Sequence, residues 1–149
     1  MAQAHVVEGR FRLPYRNYAG KIGSRFLVEL RDNQRIMGIK CPKCGIVYVP
    51  PKSVCPKCFS ELGEWVEVSN KGTLETYTIV DYTYSPDYQP RDIPYAIGLI
   101  KLDGADTGLC HILGEVDLTK LKVGLRVQGV FKEKREGSIL DIEYFKPIG

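Results

Sequence analysis

The sequence predicts a mainly β protein with an N-terminal helical segment, a small metal-binding ribbon and a C-terminal five-stranded barrel. Three observations predict this architecture. Two identical CPKC tetrapeptides occupy residues 41–44 and 55–58. Apolar residues recur at helical spacing before these tetrapeptides, and short runs of β-type residues separated by turns follow them. The cysteines therefore lie between a helix and a set of strands.

The N-terminal region, residues 1–34, is predicted to be an arm followed by one helix. The helical pattern covers 18–32, where the recurring apolar residues are Ile22, Phe26, Leu27 and Leu30. Ser24 has a side chain suited to capping the firmer part of this helix, and Asn33 lies where a helix often ends. The region therefore presents one short amphipathic helix to the rest of the chain.

Residues 35–69 are predicted to form a ribbon around a metal ion. The expected ribbon strands cover residues 35–40, 46–49 and 64–68. The expected ligands are Cys41, Cys44, Cys55 and Cys58. Two such pairs supply the four sulfurs that structural zinc prefers, and they leave no coordination position for water or substrate. The metal is therefore expected to stabilise the fold and to take no part in catalysis.

Other roles for these cysteines are disulfides, a redox dithiol and an iron site. Disulfides need an oxidising compartment, and the first thirty residues lack the pattern of a secretion signal. A redox dithiol needs one CxxC motif, whereas this chain has two. Iron remains an alternative to zinc, because residues 41–50 resemble the first knuckle of rubredoxin and four sulfurs hold either ion.

Charge and hydropathy bound the classes of partner. Residues 1–70 carry 11 basic and 6 acidic side chains, whereas 71–149 carry 10 and 12. Four lysines lie near the cysteines and offset the negative charge of a four-thiolate site: Lys40, Lys43, Lys52 and Lys57. This mild basic excess argues against a nucleic-acid surface. No apolar run is long enough to span a bilayer, so we expect a cytoplasmic protein without membrane contact.

The C-terminal region, residues 70–149, is predicted to be an OB-fold barrel. Its boundary is placed at a turn over residues 70–72. Its five strands are expected at residues 73–81, 95–102, 109–113, 125–132 and 139–145. A short helix capped by Asp117 falls between the third and fourth strands, which matches the order of an OB-fold. In the last strand, the expected core side chains are Leu140, Ile142 and Tyr144.

The long loop between the first two barrel strands, residues 82–94, contains three tyrosines and three prolines. Its tyrosines either cover the barrel end or bind a partner or an adenine ring, and the sequence leaves both roles open. Cys110 and His111 are adjacent in a strand, so they point to opposite faces and form no catalytic pair. We expect Cys110 in the core and His5 at the surface. No catalytic motif is apparent, so we do not expect an enzyme.

The order of these features resembles the acyl-CoA-associated zinc-ribbon and OB-fold proteins known as domain-of-unknown-function family 35. The resemblance covers nearly the whole chain. It rests on Phe26, Leu27, Leu30, Ile36, Gly38, the four cysteines, Gly45, Pro50, Pro51, Pro56, Trp65, Gly72, Pro94, residues 96–100, Asp103, Gly104, Val123, Gly124, Val127 and Phe131.

This resemblance implies a rubredoxin-like zinc ribbon and a role beside enzymes of acyl-CoA chemistry, especially thiolases. It also implies similarity to the archaeal subunit that bridges acetoacetyl-CoA thiolase and hydroxymethylglutaryl-CoA synthase in the mevalonate pathway. The four cysteines carry over as metal ligands, and no catalytic residue carries over. Phosphates of coenzyme A would meet basic residues among Arg12, Arg16, Lys21 and Arg25. The alternative function is a nucleic-acid-binding module, because ribbons and OB-folds commonly bind nucleic acids.

Overall fold

The protein combines one α-helix, a three-stranded sheet and a closed five-stranded barrel within the residues that the structure describes. The structure is a computed structural model that describes residues 4–9, 13–84 and 88–149. The predicted mainly β fold class is confirmed. Arg12 lies outside the described residues, as do residues 85–87 of the tyrosine-rich loop.

Helix α1 spans Gly20–Asn33, and its predicted end is confirmed. It begins at Gly20, within the predicted span of 18–32, with Ala19 at the N-cap position. The predicted cap at Ser24 is wrong, because Ser24 lies inside the helix. Tertiary packing outweighs the poor helix propensity of the glycines in the first turns. Phe26 and Leu30 supply this packing, since both side chains are buried.

The ribbon is a three-stranded antiparallel sheet with the order β2-β1-β3. Its strands are β1 (Ile36–Lys40), β2 (Val47–Tyr48) and β3 (Glu64–Val68). All three strands lie where the sequence predicted them. The first strand is central and pairs along its whole length with the third, whereas β2 contributes only two residues at one edge.

The barrel closes in the order β4-β5-β6-β8-β7, with β4 paired to β7. Its strands are β4 (Lys71–Val80), β5 (Tyr95–Leu102), β6 (Gly108–Leu113), β7 (Arg126–Phe131) and β8 (Ile142–Pro147). The parallel pairing of β6 with β8 completes the strand order of an OB-fold. A 3-10 helix at Leu118–Lys120 follows Asp117, whose carboxylate accepts a hydrogen bond from Thr119 N at 3.0 Å. The predicted cap is therefore confirmed.

The last strand begins later than predicted. A 3-10 helix occupies Ile139–Asp141, and the pairing of β8 with β7 then shifts register, because Val130 pairs with Tyr144 and Phe131 pairs with Ile142. These features break the alternation of faces on which the predicted core set depended. Ile142 is buried as predicted, but Leu140 is 46% exposed and Phe145, predicted to face the other side, is fully buried.

The expected turn at residues 70–72 is also corrected. Lys71 and Gly72 belong to β4, and Gly72 pairs with residues of β5 and β7. A Cβ atom at Gly72 would lie 2.5 Å from Lys101 O, so the close approach of neighbouring backbone excludes a side chain. The glycine therefore marks strand packing and not a chain reversal. The division into residues 1–34, 35–69 and 70–149 stays a prediction.

One hydrophobic core runs through the helix, the base of the ribbon and the barrel. It joins Leu30 of α1, Ile36 of β1 and Leu74 of β4, all at most 1% exposed. The end of the helix is also tied to the barrel, because Arg135 Nε donates to Arg31 O at 2.7 Å. The described helices include none with the length and apolar character needed to cross a membrane. Shared packing thus fixes the helix against both sheets.

Candidate metal centre

The two CPKC segments form equivalent turns that bring four sulfurs together. In the first turn, Cys41 N donates to Ile46 O, and Gly45 N donates to Cys41 O, both at 2.9 Å. The second turn repeats the pattern with Cys55 and Phe59 at the same separation. Gly45 has a φ of +71°, which glycine adopts without strain. The chain therefore folds each pair into a knuckle through its own backbone hydrogen bonds.

Phe59 occupies the position of the second knuckle that Gly45 occupies in the first. Its φ is +58°, a left-handed conformation that costs a residue with a Cβ about 1–2 kcal/mol. Phe59 as a whole is 80% exposed. Burial therefore does not offset the backbone strain at this position.

The four sulfur atoms fit a tetrahedral ion. They all lie within 4.8 Å of one another, and the Sγ atoms of Cys41 and Cys58 are 3.5 Å apart. Sulfurs at about 2.3 Å from a tetrahedral zinc ion lie about 3.8 Å apart. Cys41 and Cys55 are fully buried, whereas Cys44 and Cys58 are partly buried. The donor set and its spacing suit a structural metal site.

Tyr48 is a site residue that the sequence analysis missed. Its hydroxyl lies 3.3 Å from Cys55 Sγ, and this hydrogen bond lowers the pKa of Cys55 to about 6 although burial opposes the shift. Hydrogen bonding to Cys58, together with burial, raises the pKa of Cys44 to about 12. Because metal-bound cysteines are thiolates, binding of a divalent ion would release the protons that these thiols carry.

Trp65 lies at the metal end of the ribbon. It packs against the small core that contains Ile39, Cys41, Tyr48, Cys55 and Leu62. The guanidinium of Arg25 lies 4.6 Å from the centre of the indole ring, within the range of a cation–π contact. The helix therefore covers the tryptophan with a residue that we had considered for phosphate binding.

The basic residues predicted to lie near the metal, and those considered for phosphate binding, have different surroundings. Lys40 Nζ lies 3.9 Å from a carboxylate oxygen of Glu64, so an acidic residue already offsets part of its charge. Lys21 and Lys52 line a cleft of about 600 Å³ at the start of α1. Arg16 is exposed in the arm. Among the phosphate candidates that the structure describes, Lys21 lies beside another cation, Lys52.

The tyrosine-rich loop presents aromatic rings to solvent. Tyr82 and Tyr84 pack edge to face with centroids 6.3 Å apart, and both remain more than half exposed. Tyr88 is 76% exposed. Arg91 lies over the ring of Tyr144, with 5.1 Å between the guanidinium carbon and the ring centroid. Among the described loop residues, the aromatic surface is therefore available for contact.

The expectation that Cys110 lies in the core is wrong. The expectation that Cys110 and His111 point to opposite faces of their strand is confirmed. Cys110 is exposed, whereas His111 is buried together with Leu109 on the other face of β6. His111 Nδ1 accepts from Ile112 N at 2.9 Å, and Nε2 lies 3.2 Å from Ile139 O. The strand alternation was predicted correctly, but its inward face was assigned to the wrong residue. His5 is exposed as expected.

Comparison with known proteins agrees with this class of ribbon-and-barrel protein. Residues 28–63 match the model of the rubredoxin-like zinc ribbon domain of ChsH2, and 65–132 match the model of its C-terminal OB-fold domain. The chain belongs to the DUF35 family.

Curated relatives match over most of their length. A DUF35 domain-containing scaffold protein of Methanocaldococcus jannaschii is 30% identical over 80% of this chain and 86% of its own. The protein of the same description from Pyrococcus furiosus is 32% identical over 84% of this chain and 92% of its own.

Two solved structures share the fold. An Ltp2-ChsH2(DUF35) aldolase chain has a TM-score of 0.62 and 23% identity, covering 83% of this chain and 93% of its own. A DUF35 protein of unknown function from Sulfolobus solfataricus has a TM-score of 0.60 and 28% identity, covering 74% and 78%. The first likeness concerns the fold alone.

Proposed function

We propose that this protein is a non-catalytic, zinc-binding scaffold subunit of a thiolase-type acyl-CoA enzyme complex in the cytoplasm. The observation that carries the proposal is the match, over four fifths of the chain, to relatives described as scaffold proteins. A scaffold needs rigid faces, and the core shared by helix, ribbon and barrel supplies them. The proposed partners are a thiolase and hydroxymethylglutaryl-CoA synthase, which places the subunit in the mevalonate pathway.

The proposed ligands of a structural zinc ion are Cys41, Cys44, Cys55 and Cys58. Their four sulfurs leave no open coordination position, so the ion would hold the ribbon together and would not activate water. Iron binds the same donor set, and metal analysis of protein from native cells distinguishes the two. A bound equivalent of zinc supports the proposal, whereas iron with its visible charge-transfer absorption would point to electron transfer.

Exposed aromatic side chains support partner binding. Among the described residues, the most exposed aromatic side chains are Tyr15, Tyr18, Phe59, Tyr82 and Tyr88, each more than 60% accessible. Aromatic side chains are enriched among the residues that dominate binding energy at protein interfaces. Phe59 adds a stronger argument, because its exposed ring is held in a strained backbone conformation. We assign it the role of a partner anchor.

Contact with acyl-CoA is the finer part of the proposal. The cleft at the start of α1 carries Lys21, Lys52 and Ser53. Lysine side chains pair with phosphate, and the start of a helix favours negative charge. These groups suit the phosphates of a coenzyme A that a partner enzyme holds from its other side.

Purification of the tagged full-length chain from its native cells tests the function. We expect a thiolase and hydroxymethylglutaryl-CoA synthase in the eluate, and we expect them to remain after nuclease treatment. An eluate without any acyl-CoA enzyme would contradict the proposal. Tight binding to nucleic acid with a steep salt dependence would favour the alternative module instead.

A further inference from the structure

A turn of the barrel forms hydrogen bonds along the outer edge of the ribbon. Asp106 lies between β5 and β6, and Thr107 follows it. Val47 N donates to Asp106 Oδ2 at 2.8 Å, and Asp106 N donates to Val47 O at 2.9 Å. Val49 N donates to Thr107 Oγ1 at 2.8 Å, and this hydroxyl donates to Val49 O at 3.0 Å. Four hydrogen bonds thus join residues 58 or 59 positions apart.

These hydrogen bonds occupy the free edge of β2, where a further strand would otherwise pair. With two residues, β2 is too short to be stable by its own pairing, and it lies at the edge of the sheet. The barrel turn satisfies the backbone groups of Val47 and Val49 that face away from β1. The edge of the ribbon is therefore held by the barrel.

The same edge continues directly into the first metal knuckle. Val47 follows Ile46, whose carbonyl accepts the hydrogen bond from Cys41 N. Cys44 lies three positions before Val47. A shift of β2 away from β1 would therefore pull on the turn that orients Cys41 and Cys44.

A cleft of about 450 Å³ opens where the two parts meet. Its lining residues are Cys44, Gly45, Ile46, Tyr48, Asp106 and Thr107. Cys44 is partly buried, so this cleft offers solvent and small chelators an approach to one proposed ligand. Loosening the barrel turn would widen that approach as well as release the knuckle.

We propose that Asp106 and Thr107 are positioning residues for the metal centre, which hold the first knuckle closed through β2. This inference rests on the metal ligation proposed above. It also gives the barrel a role in metal retention, so that the ribbon and the barrel act as one unit. Neither residue belongs to the four proposed ligands.

The test measures the rate at which zinc passes from the loaded full-length protein to a chromophoric chelator in excess. Asp106→Ala and Thr107→Val remove the side-chain hydrogen bonds, and we expect each to release zinc about tenfold faster, the lower end of the effect for groups that orient ligands. Asp106→Asn and Thr107→Ser keep an acceptor or a hydroxyl, so they should release zinc at nearly the wild-type rate.

Asp117→Ala is the matched control, because Asp117 is also an aspartate of the barrel that accepts a backbone hydrogen bond. Thermal unfolding of every variant separates metal retention from general stability. Equal release rates for wild type, D117A, D106A and T107V would overturn the inference, even if the unfolding temperatures fell. If D106A does not fold, the comparison of zinc release from T107V and T107S tests the inference. A wild-type chain that binds no equivalent of zinc would instead overturn the metal assignment, and the inference with it.

Discussion

Replacing Leu30 by alanine tests the packing of α1 against the ribbon and the barrel. Leu30 is 0% exposed and belongs to the core that contains Ile36 of the ribbon and Leu74 of the barrel. Truncation of a fully buried leucine removes its transfer free energy and leaves a cavity, at a cost of about 3–5 kcal/mol. In a chain of 149 residues, each kcal/mol lowers the unfolding temperature by about 2–4 °C. We therefore expect the unfolding temperature of Leu30→Ala to lie about 6–20 °C below that of the wild type.

The assay is urea and thermal unfolding of the zinc-loaded protein, followed by Trp65 fluorescence and by circular dichroism. Trp65 reports on the helix, because Arg25 of α1 lies over its ring. Val28→Ala is the matched control, since Val28 lies on the same helix with 40% of its surface exposed, and we expect a loss below about 1 kcal/mol. A loss below about 1 kcal/mol for L30A as well would refute the packing role of the helix.

Three further predictions concern other parts of the molecule. Phe59→Gly should raise the free energy of unfolding by about 1 kcal/mol, because glycine relieves the left-handed strain. The same substitution should weaken the retention of partner enzymes in a pull-down. Unchanged retention would argue against the anchor role. Cys55→Ser should abolish tight zinc binding and amide protection in the small core around the cysteines, while the main core of the barrel keeps slow hydrogen exchange. Loss of protection in both cores would contradict this prediction. Acid should destabilise the protein in two steps, measured as the free energy of unfolding against pH. Burial lowers the pKa of His111, so the unfolded chain binds the extra proton and stability falls as pH drops below the ordinary histidine value of 6.5. Burial raises the pKa of Asp141, but backbone N–H donors from Glu136, Gly137 and Ser138 outweigh it, so the net shift is downward and a second loss follows as pH falls through the lowered value. His111→Gln should flatten the first step only, and an unchanged profile would contradict its assignment.

Features carried by nearby residues were predictable from the sequence. The ligand cluster follows from two short motifs, because each CPKC segment forms its knuckle within six residues. The bounds of β5, Tyr95–Leu102, were also predicted correctly, since this apolar strand lies between clear turn signals. Residues close together in the sequence determine both features, so a short stretch of sequence is enough to predict each one.

Features that depend on distant pairing were missed or misassigned. The hydrogen bonds of Asp106 and Thr107 to the ribbon join residues nearly sixty positions apart, and the sequence signalled only a turn there. Cys110 was placed in the core because cysteine is usually buried, but the pairing of β6 turns His111 inward instead. The inward position of Phe145 depends on a register irregularity in the strand, which the residue types do not predict.

The most direct test of the scaffold assignment is a paired purification from native cells with the tagged wild-type chain and the tagged Cys55→Ser chain. We predict that the wild type retains a thiolase and hydroxymethylglutaryl-CoA synthase in near-stoichiometric amounts, together with one zinc ion per chain. We predict that the variant loses the zinc and most of both enzymes. Recovery of no acyl-CoA enzyme with the wild type would contradict the account.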